Sequence, residues 1–257
     1  MPIGRFDSDV QALKQRIVAH DKYSARDLNT WIFEHLALNA GLTILELGCG
    51  IGKQTLPMAK ITTPSGHIFA VDIAPGALES LNQSSKALGL DQTITPILLG
   101  LDDLYEGFQP ETMDRVLASY SLYYVERPQR VIQEIHRVLK PGGILFFCGP
   151  AHANNAEIKQ FIGGVAGKPL AVGTKASRFM EETGQQITRK LFSRMEIFTF
   201  ENPLRFDSAE ALLGYWSCHN LYDENLAGAF QTACQAYFRD HDIFETTKRV
   251  IGVRATK

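Results

Sequence analysis

The sequence predicts an α/β protein with a doubly wound, mostly parallel sheet, an N-terminal helical segment and a helical cap insertion. Three observations carry this. Short apolar runs ending in glycine or aspartate alternate with segments of helical periodicity. The first run is followed at once by "GCGIG", residues 48–52, a turn in which glycines occupy every second position. A run of this kind, buried on both faces, is the mark of a parallel strand rather than of an amphipathic one.

Residues 7–40 hold apolar positions at helical spacing, notably Leu28, Trp31, Ile32, His35 and Leu36, and predict one or two helices with Gly41 as the C-cap. "LTILELG" (42–48) reads as the first strand and "KQTLPMAK" (53–60) as a helix, with Pro57 awkward beyond its first turn. "GHIFAVDIA" (66–74) is the second strand. "PGALESLNQSSKALGL" (75–90) is a helix with Pro75 near its start and Gly89 at its end. "TITPILLG" (93–100) is a third strand, weakened by Pro96, and "MDRVLASYS" (113–121) a fourth. In "PQRVIQEIHRVLK" (128–140), Val131, Ile132, Ile135, Val138 and Leu139 share one helical face. "PGGILFFCG" (141–149) is a turn and a fifth strand.

Beyond residue 155 the periodicity weakens. Residues 194–206 and 248–256 read as strands. Between them, Asp207 followed three residues later by Glu210 is a capping pattern, and 207–243 is expected to be a helical cap insertion. The whole chain, 1–257, reads as a single domain with a ligand-binding core at 40–155. Ligands of parallel sheets sit at the carboxyl ends of the strands, so the loops after the five strands identify the site.

Composition limits the partners. The 257 residues include 26 basic and 28 acidic ones, a net charge of −2, with no Lys/Arg run, so nucleic acid is not an expected partner. The four cysteines form no CxxC pair and no metal-ligating cluster, which predicts reduced thiols and no metal. No stretch reaches the length of a membrane span and the N-terminus lacks a signal-peptide profile, so a cytoplasmic protein is expected.

The spacing of Gly48, Gly50 and Gly52, with Glu46 two positions ahead, departs from the G-x-G-x-x-G dinucleotide fingerprint. It resembles motif I of the class I S-adenosylmethionine-dependent methyltransferases. "AVDIAPGAL" is similar to that family's second motif, with Asp72 falling 20 residues after Gly52, and the segment 113–147 carries an "LKPGG" turn at 139–143. The closest look is to the ubiquinone/menaquinone-methyltransferase-like branch acting on small molecules. The resemblance covers about residues 40–150. It implies a Rossmann-like methyltransferase fold whose last strand is antiparallel, and S-adenosyl-L-methionine as cofactor. It also implies methyl transfer to an N or O nucleophile of a small molecule by a monomer or homodimer.

The resemblance assigns cofactor contacts to Glu46, Gly48, Gly50, Gly52, Asp72, Ile73 and Ser119. Asp72 would accept from the ribose hydroxyls. Glu46 would either contact the ligand or orient the glycine loop, and Asp102 or Asp103 would meet the adenine, although the family's acidic position holds Leu101 here. On the acceptor side, Tyr120 or Tyr123 is expected to face the pocket, with Tyr124 in the core. His152 is the expected base; a surface-loop histidine is the competing reading. Trp216 and His219 in the insertion are secondary candidates. Two other functions compete: an S-adenosylmethionine-binding protein without transferase activity, and an NAD(P)-dependent dehydrogenase. The glycine spacing and the helical residues before the first strand argue against the dehydrogenase.

Overall fold

The computed structural model describes Val18 and residues 22–257. The predicted N-terminal helix therefore falls mostly outside the described residues, except for α1, Leu28–Leu36. Leu28, Trp31, Ile32 and Leu36 bury one side of α1. The helix ends sooner than expected. Ala37, at φ 52°, takes the left-handed position, and Arg115 donates to the carbonyls of Leu36 and Ala37 at 2.8 and 3.3 Å. With those carbonyls satisfied, no glycine cap is needed. Gly41 instead forms a turn whose N–H donates to Thr62 O.

Five strands follow the predicted order: β1 Thr43–Leu47, β2 His67–Asp72, β3 Ile94–Leu98, β4 Met113–Ser119 and β5 Leu139–Pro150. They are joined by α2 Thr55–Thr62, α3 Pro75–Ala87 and α4 Pro128–Val138. Pro57 falls at the third position of α2, where its missing N–H would have had no intrahelical partner. The sheet order is β3-β2-β1-β4-β5-β7-β6, with β6 at Arg194–Phe206 and β7 at Phe244–Thr256. The first five strands pair in parallel and β7 pairs antiparallel to β5, as expected. Pro96 is tolerated because β3 is an edge strand.

Alternation along the strands splits the interior into two layers. Leu45, Leu47, Val116 and Phe147 pack against Ile132 and Ile135 of α4. Ile44, Leu117 and Phe146 pack against Ile32 and Leu36 of α1 and Met58 of α2. The order in which strands are added to the sheet reverses between β1 and β4, so the loops after these two parallel strands flank the crevice where parallel sheets bind ligands.

The chain divides into two compact units. The larger comprises Leu28–Ala151, Lys175–Phe200 and Val250–Lys257; the other comprises the described residues up to Asp27, His152–Thr174 and Glu201–Arg249. α5 (Ala156–Val165) belongs to the second unit. A helical stretch that periodicity did not reveal belongs to the larger one. It consists of α6 (Lys175–Arg178), a π-turn at Phe179–Thr183 and α7 (Gly184–Leu191), and it contributes Phe179 and Met180 to the core.

The insertion is helical, with α8 Ala209–Ser217 and α9 Ala227–Asp240. Its cap is Ser208 rather than Asp207. The helix begins at Ala209, and Ser208 Oγ accepts from Ala211 N at 3.3 Å. Trp216 is fully buried and stacks on Phe230 at 4.0 Å, so this secondary candidate is a core residue of the second unit. His219 is buried with it.

Gly252 of β7 lies against α1 so closely that a Cβ there would fall 2.5 Å from the Trp31 ring and 2.7 Å from that of Phe146. Gly252→Ala is therefore expected to cost about 1–3 kcal/mol through overpacking. Urea denaturation measures this, and an unchanged midpoint would refute it.

Candidate functional site

β1 delivers Glu46 and the glycine loop to the carboxyl edge of the sheet, and β2 delivers Asp72. The loop is held from below by Gly48 N–H and Cys49 N–H, both donating to Val71 O at 2.8 and 3.0 Å. Asp72 holds it from the side. One carboxylate oxygen accepts from Gly50 N–H at 2.8 Å, and the other accepts from Ala74 N–H at 2.9 Å. Each oxygen keeps lone-pair capacity for a further donor.

The three glycines have different reasons. Gly48 (φ 77°) has no room for a Cβ because the Ser121 side chain from the loop after β4 fills that space, and Ser121 Oγ donates to Leu47 O at 2.5 Å. Gly52 (φ 89°) excludes a Cβ because Leu81 Cδ1 of α3 would lie 2.5 Å from it. Gly50 (φ 54°) turns its N–H toward Asp72. Two of the three are thus required by the protein's own packing, which spacing could not reveal.

Glu46 is 1% exposed and accepts from Thr55 Oγ1, at the start of α2, at 2.5 Å. Burial, aided by the nearby Asp72 charge and opposed by the Thr55 bond, pushes its carboxyl up to about 8. Glu46 is therefore a neutral acid near pH 7 that ties β1 to α2. Burial, with the two carboxylates adding to it, also pushes the Cys49 thiol far up, so it stays protonated.

Ile73 follows Asp72 with its side chain 59% exposed, unusual for isoleucine at a strand end. A methyl group on Gly100 would lie 3.2 Å from Asp103 Oδ2 and 3.9 Å from Ile73 Cδ1, so Asp103 and Ile73 flank that glycine. Asp102 has another task. Its two oxygens accept from the backbone N–H groups of Glu126 and Arg127, each at 2.9 Å, joining the turn after β3 to the start of α4.

After β4, Ser119 Oγ accepts from Cys148 Sγ at 3.5 Å. Tyr120 adopts φ 58°, a strained value for a bulky residue, and its N–H donates to Cys148 O at 2.8 Å. This reversal and the short 3₁₀ turn at Leu122–Tyr124 break the strand alternation. Tyr124, expected in the core, is accordingly turned outward. Tyr123 is buried, with its ring and Met180 against Gly149, and Tyr124 is 53% exposed. His152 belongs to the second unit, where its ring lies against the backbone at Gly173.

Part of this chain is similar to known proteins. Residues 45–147 match the methyltransferase domain family. The biotin biosynthesis bifunctional protein BioHC of Teredinibacter turnerae is 35% identical over 41% of this chain and 19% of its own length. A demethylmenaquinone methyltransferase of Lactobacillus johnsonii is 28% identical over 60% of this chain and 65% of its own. The matched part of the chain thus spans less than two thirds of these relatives. Among solved structures, a geranyl diphosphate methyltransferase in complex with SAM superposes with a TM-score of 0.56 at 16% identity, covering 100% of this chain and 93% of that one. At that identity the likeness concerns the fold.

Two outcomes follow from the site's packing. Gly48→Ala should destabilise the protein by about 2 kcal/mol or more, since it combines a strained φ with overlap onto Ser121. Combining it with Ser121→Gly should show a favourable coupling of about 0.5–3 kcal/mol in a double-mutant cycle; strict additivity would show that Ser121 is not the cause. The second outcome concerns pH. A carboxyl raised to about 8 in the folded state, above its ordinary 4.5, stabilises the fold below pH 4.5, and that contribution is lost as pH rises to about 8. Against Glu46→Gln, the native protein should therefore lose stability steadily over this window. Parallel curves across pH 5–8 would refute the buried neutral acid.

Proposed function

We infer that this chain, built on a class I S-adenosylmethionine-dependent methyltransferase domain at residues 45–147, transfers a methyl group from S-adenosylmethionine to an amine or hydroxyl of a small molecule. One observation carries the reading. The Asp72 carboxylate, fixed by two backbone N–H groups, stands at the end of β2 beside a glycine loop, with spare acceptor capacity on both oxygens. That is the arrangement a ribose diol needs, because each hydroxyl can donate to a charged acceptor.

Around it, Ile73 supplies an exposed apolar surface for the adenine, and Asp103 supplies the carboxylate for its amino group. Asp102 instead ties the turn after β3 to the start of α4 through the backbone N–H groups of Glu126 and Arg127. The glycine backbone approaches the methionine portion, and Glu46 keeps β1 and α2 together beneath it. When bound, the donor supplies a cationic sulfonium whose methyl is open to in-line displacement. Tyr120, set by its left-handed backbone at the end of β4, is assigned to orient the acceptor and exclude water. The neutral Cys49 thiol has no part as a nucleophile.

Calorimetry with S-adenosylhomocysteine and, separately, NADH tests the donor assignment. Binding of the first and not the second is expected, and the reverse would overturn it. Asp72→Asn should weaken S-adenosylhomocysteine binding by about 1.5–3 kcal/mol. Because Asp72 also holds Gly50 and Ala74, Asp72→Ala should in addition lower the melting temperature of the ligand-free protein. Full donor affinity in Asp72→Asn would place the ribose contact elsewhere.

A further inference from the structure

Glu46 is a buried acid whose surroundings favour keeping its proton. In the sheet it stands between Ala70 of β2 and Leu117 of β4, two apolar residues in register with it. From α2, Thr55 Oγ1 donates to its Oε2 at 2.5 Å, and its other oxygen makes no hydrogen bond among the described residues. Its ionisation is governed by burial, the Thr55 bond and the Asp72 carboxylate, in that order, and none of these is a positive charge. The charged residue of the glycine loop, Lys53, is not one of them.

Cys49 completes the group. Both carboxylates act on its thiol, so Glu46, Cys49 and Asp72 lie within electrostatic reach of one another at the ends of β1 and β2. Their ionised forms are all negative. A cation brought to this cluster changes Glu46 before Cys49, because the thiol proton is held too firmly to leave near neutral pH.

Resting on the donor assignment above, we propose that Glu46 discriminates between the cationic donor and its demethylated product by exchanging a proton with solvent. It keeps the proton while the loop is empty or holds a neutral thioether, and releases it when a sulfonium is present. S-adenosylmethionine and S-adenosylhomocysteine cover nearly the same surface and differ by a methyl group and its positive charge. Desolvation of Glu46 by the ligand is therefore common to both, and only the charge separates them. Below about pH 8 Glu46 starts protonated, and its proton must leave before the attraction is gained; above it the carboxylate is already present. Affinity for S-adenosylmethionine relative to S-adenosylhomocysteine thus rises with pH and levels off above that point. Fresh donor then displaces spent product more effectively as pH rises. A Glu46 that served only to tie β1 to α2 would hold its proton whichever ligand was bound.

Calorimetric titration of each ligand into the full chain, from pH 6 to pH 9, tests this against Glu46→Gln. Glutamine keeps an acceptor for Thr55 and cannot ionise. The α-amino group of the ligands titrates in the same range, and Glu46→Gln retains that contribution, so the comparison isolates Glu46. A sulfonium that makes Glu46 about ten times stronger as an acid raises the affinity ratio of the two ligands about tenfold across this range, relative to Glu46→Gln. Equal pH dependence in the two proteins would overturn the proposal and leave the donor assignment intact; binding of neither ligand to the native protein would overturn both. Should Glu46→Gln not fold, infrared difference spectroscopy of the native protein at pH 7 decides. The stretch of a protonated carboxyl should diminish on adding S-adenosylmethionine and persist with S-adenosylhomocysteine. The same response to both ligands would refute the exchange.

Discussion

Ser121 occupies the volume that Gly48 leaves empty, and the rest of the ligand-facing edge is arranged around that contact. β1 and β4 are neighbours in space but separated in sequence by the whole excursion through β2 and β3. Their outgoing loops must fit at a point where neither has secondary structure of its own. The serine hydroxyl closes the fit by donating to Leu47 O, the last carbonyl of β1. With the loop after β4 locked onto the loop after β1, the left-handed Tyr120 immediately before the serine is held in a conformation its side chain would not choose alone.

The electrostatics beneath the loop follow from the same crowding. Two carboxylates lie close together, one buried and one at the rim. Burial, and to a lesser degree the Asp72 charge, disfavour ionisation of the inner one, Glu46. Glu46 gives up its charge and bonds to Thr55. Asp72 instead accepts from two backbone N–H groups at the rim. The acidic residue that opens the glycine motif is thereby a structural tie, and the one 26 positions later is the acceptor presented to a ligand.

Much of the architecture was legible in the residues. Strand order along the chain, the helices at 75–87 and 128–138, the long strand at 194–206 and the helical insertion all follow from local periodicity, which near neighbours dictate. The helix ends were less legible. Gly41 and Asp207 had the right chemistry for caps, but Ala37 and Ser208 do the work, because Arg115, 78 residues away from Ala37, supplies one set of partners and the register of α8 selects the other. The stretch 175–191 was not foreseen, since its π-turn breaks the 3.6-residue repeat.

By itself the sequence determined the class of fold and the family of the glycine loop, because both rest on short-range patterns: apolar alternation, glycine spacing, and an aspartate at a fixed distance. Only the tertiary structure decided what each of those residues does. It assigned Gly48 to Ser121 and Gly52 to Leu81, engaged Asp102 with the start of α4 and left Asp103 beside Ile73. It also left Tyr124, expected in the core, exposed. The reason is that a side chain's role depends on which distant segment arrives next to it, and chain crossings such as the passage from β3 to β4 bring together residues whose spacing in the sequence carries no trace of the contact.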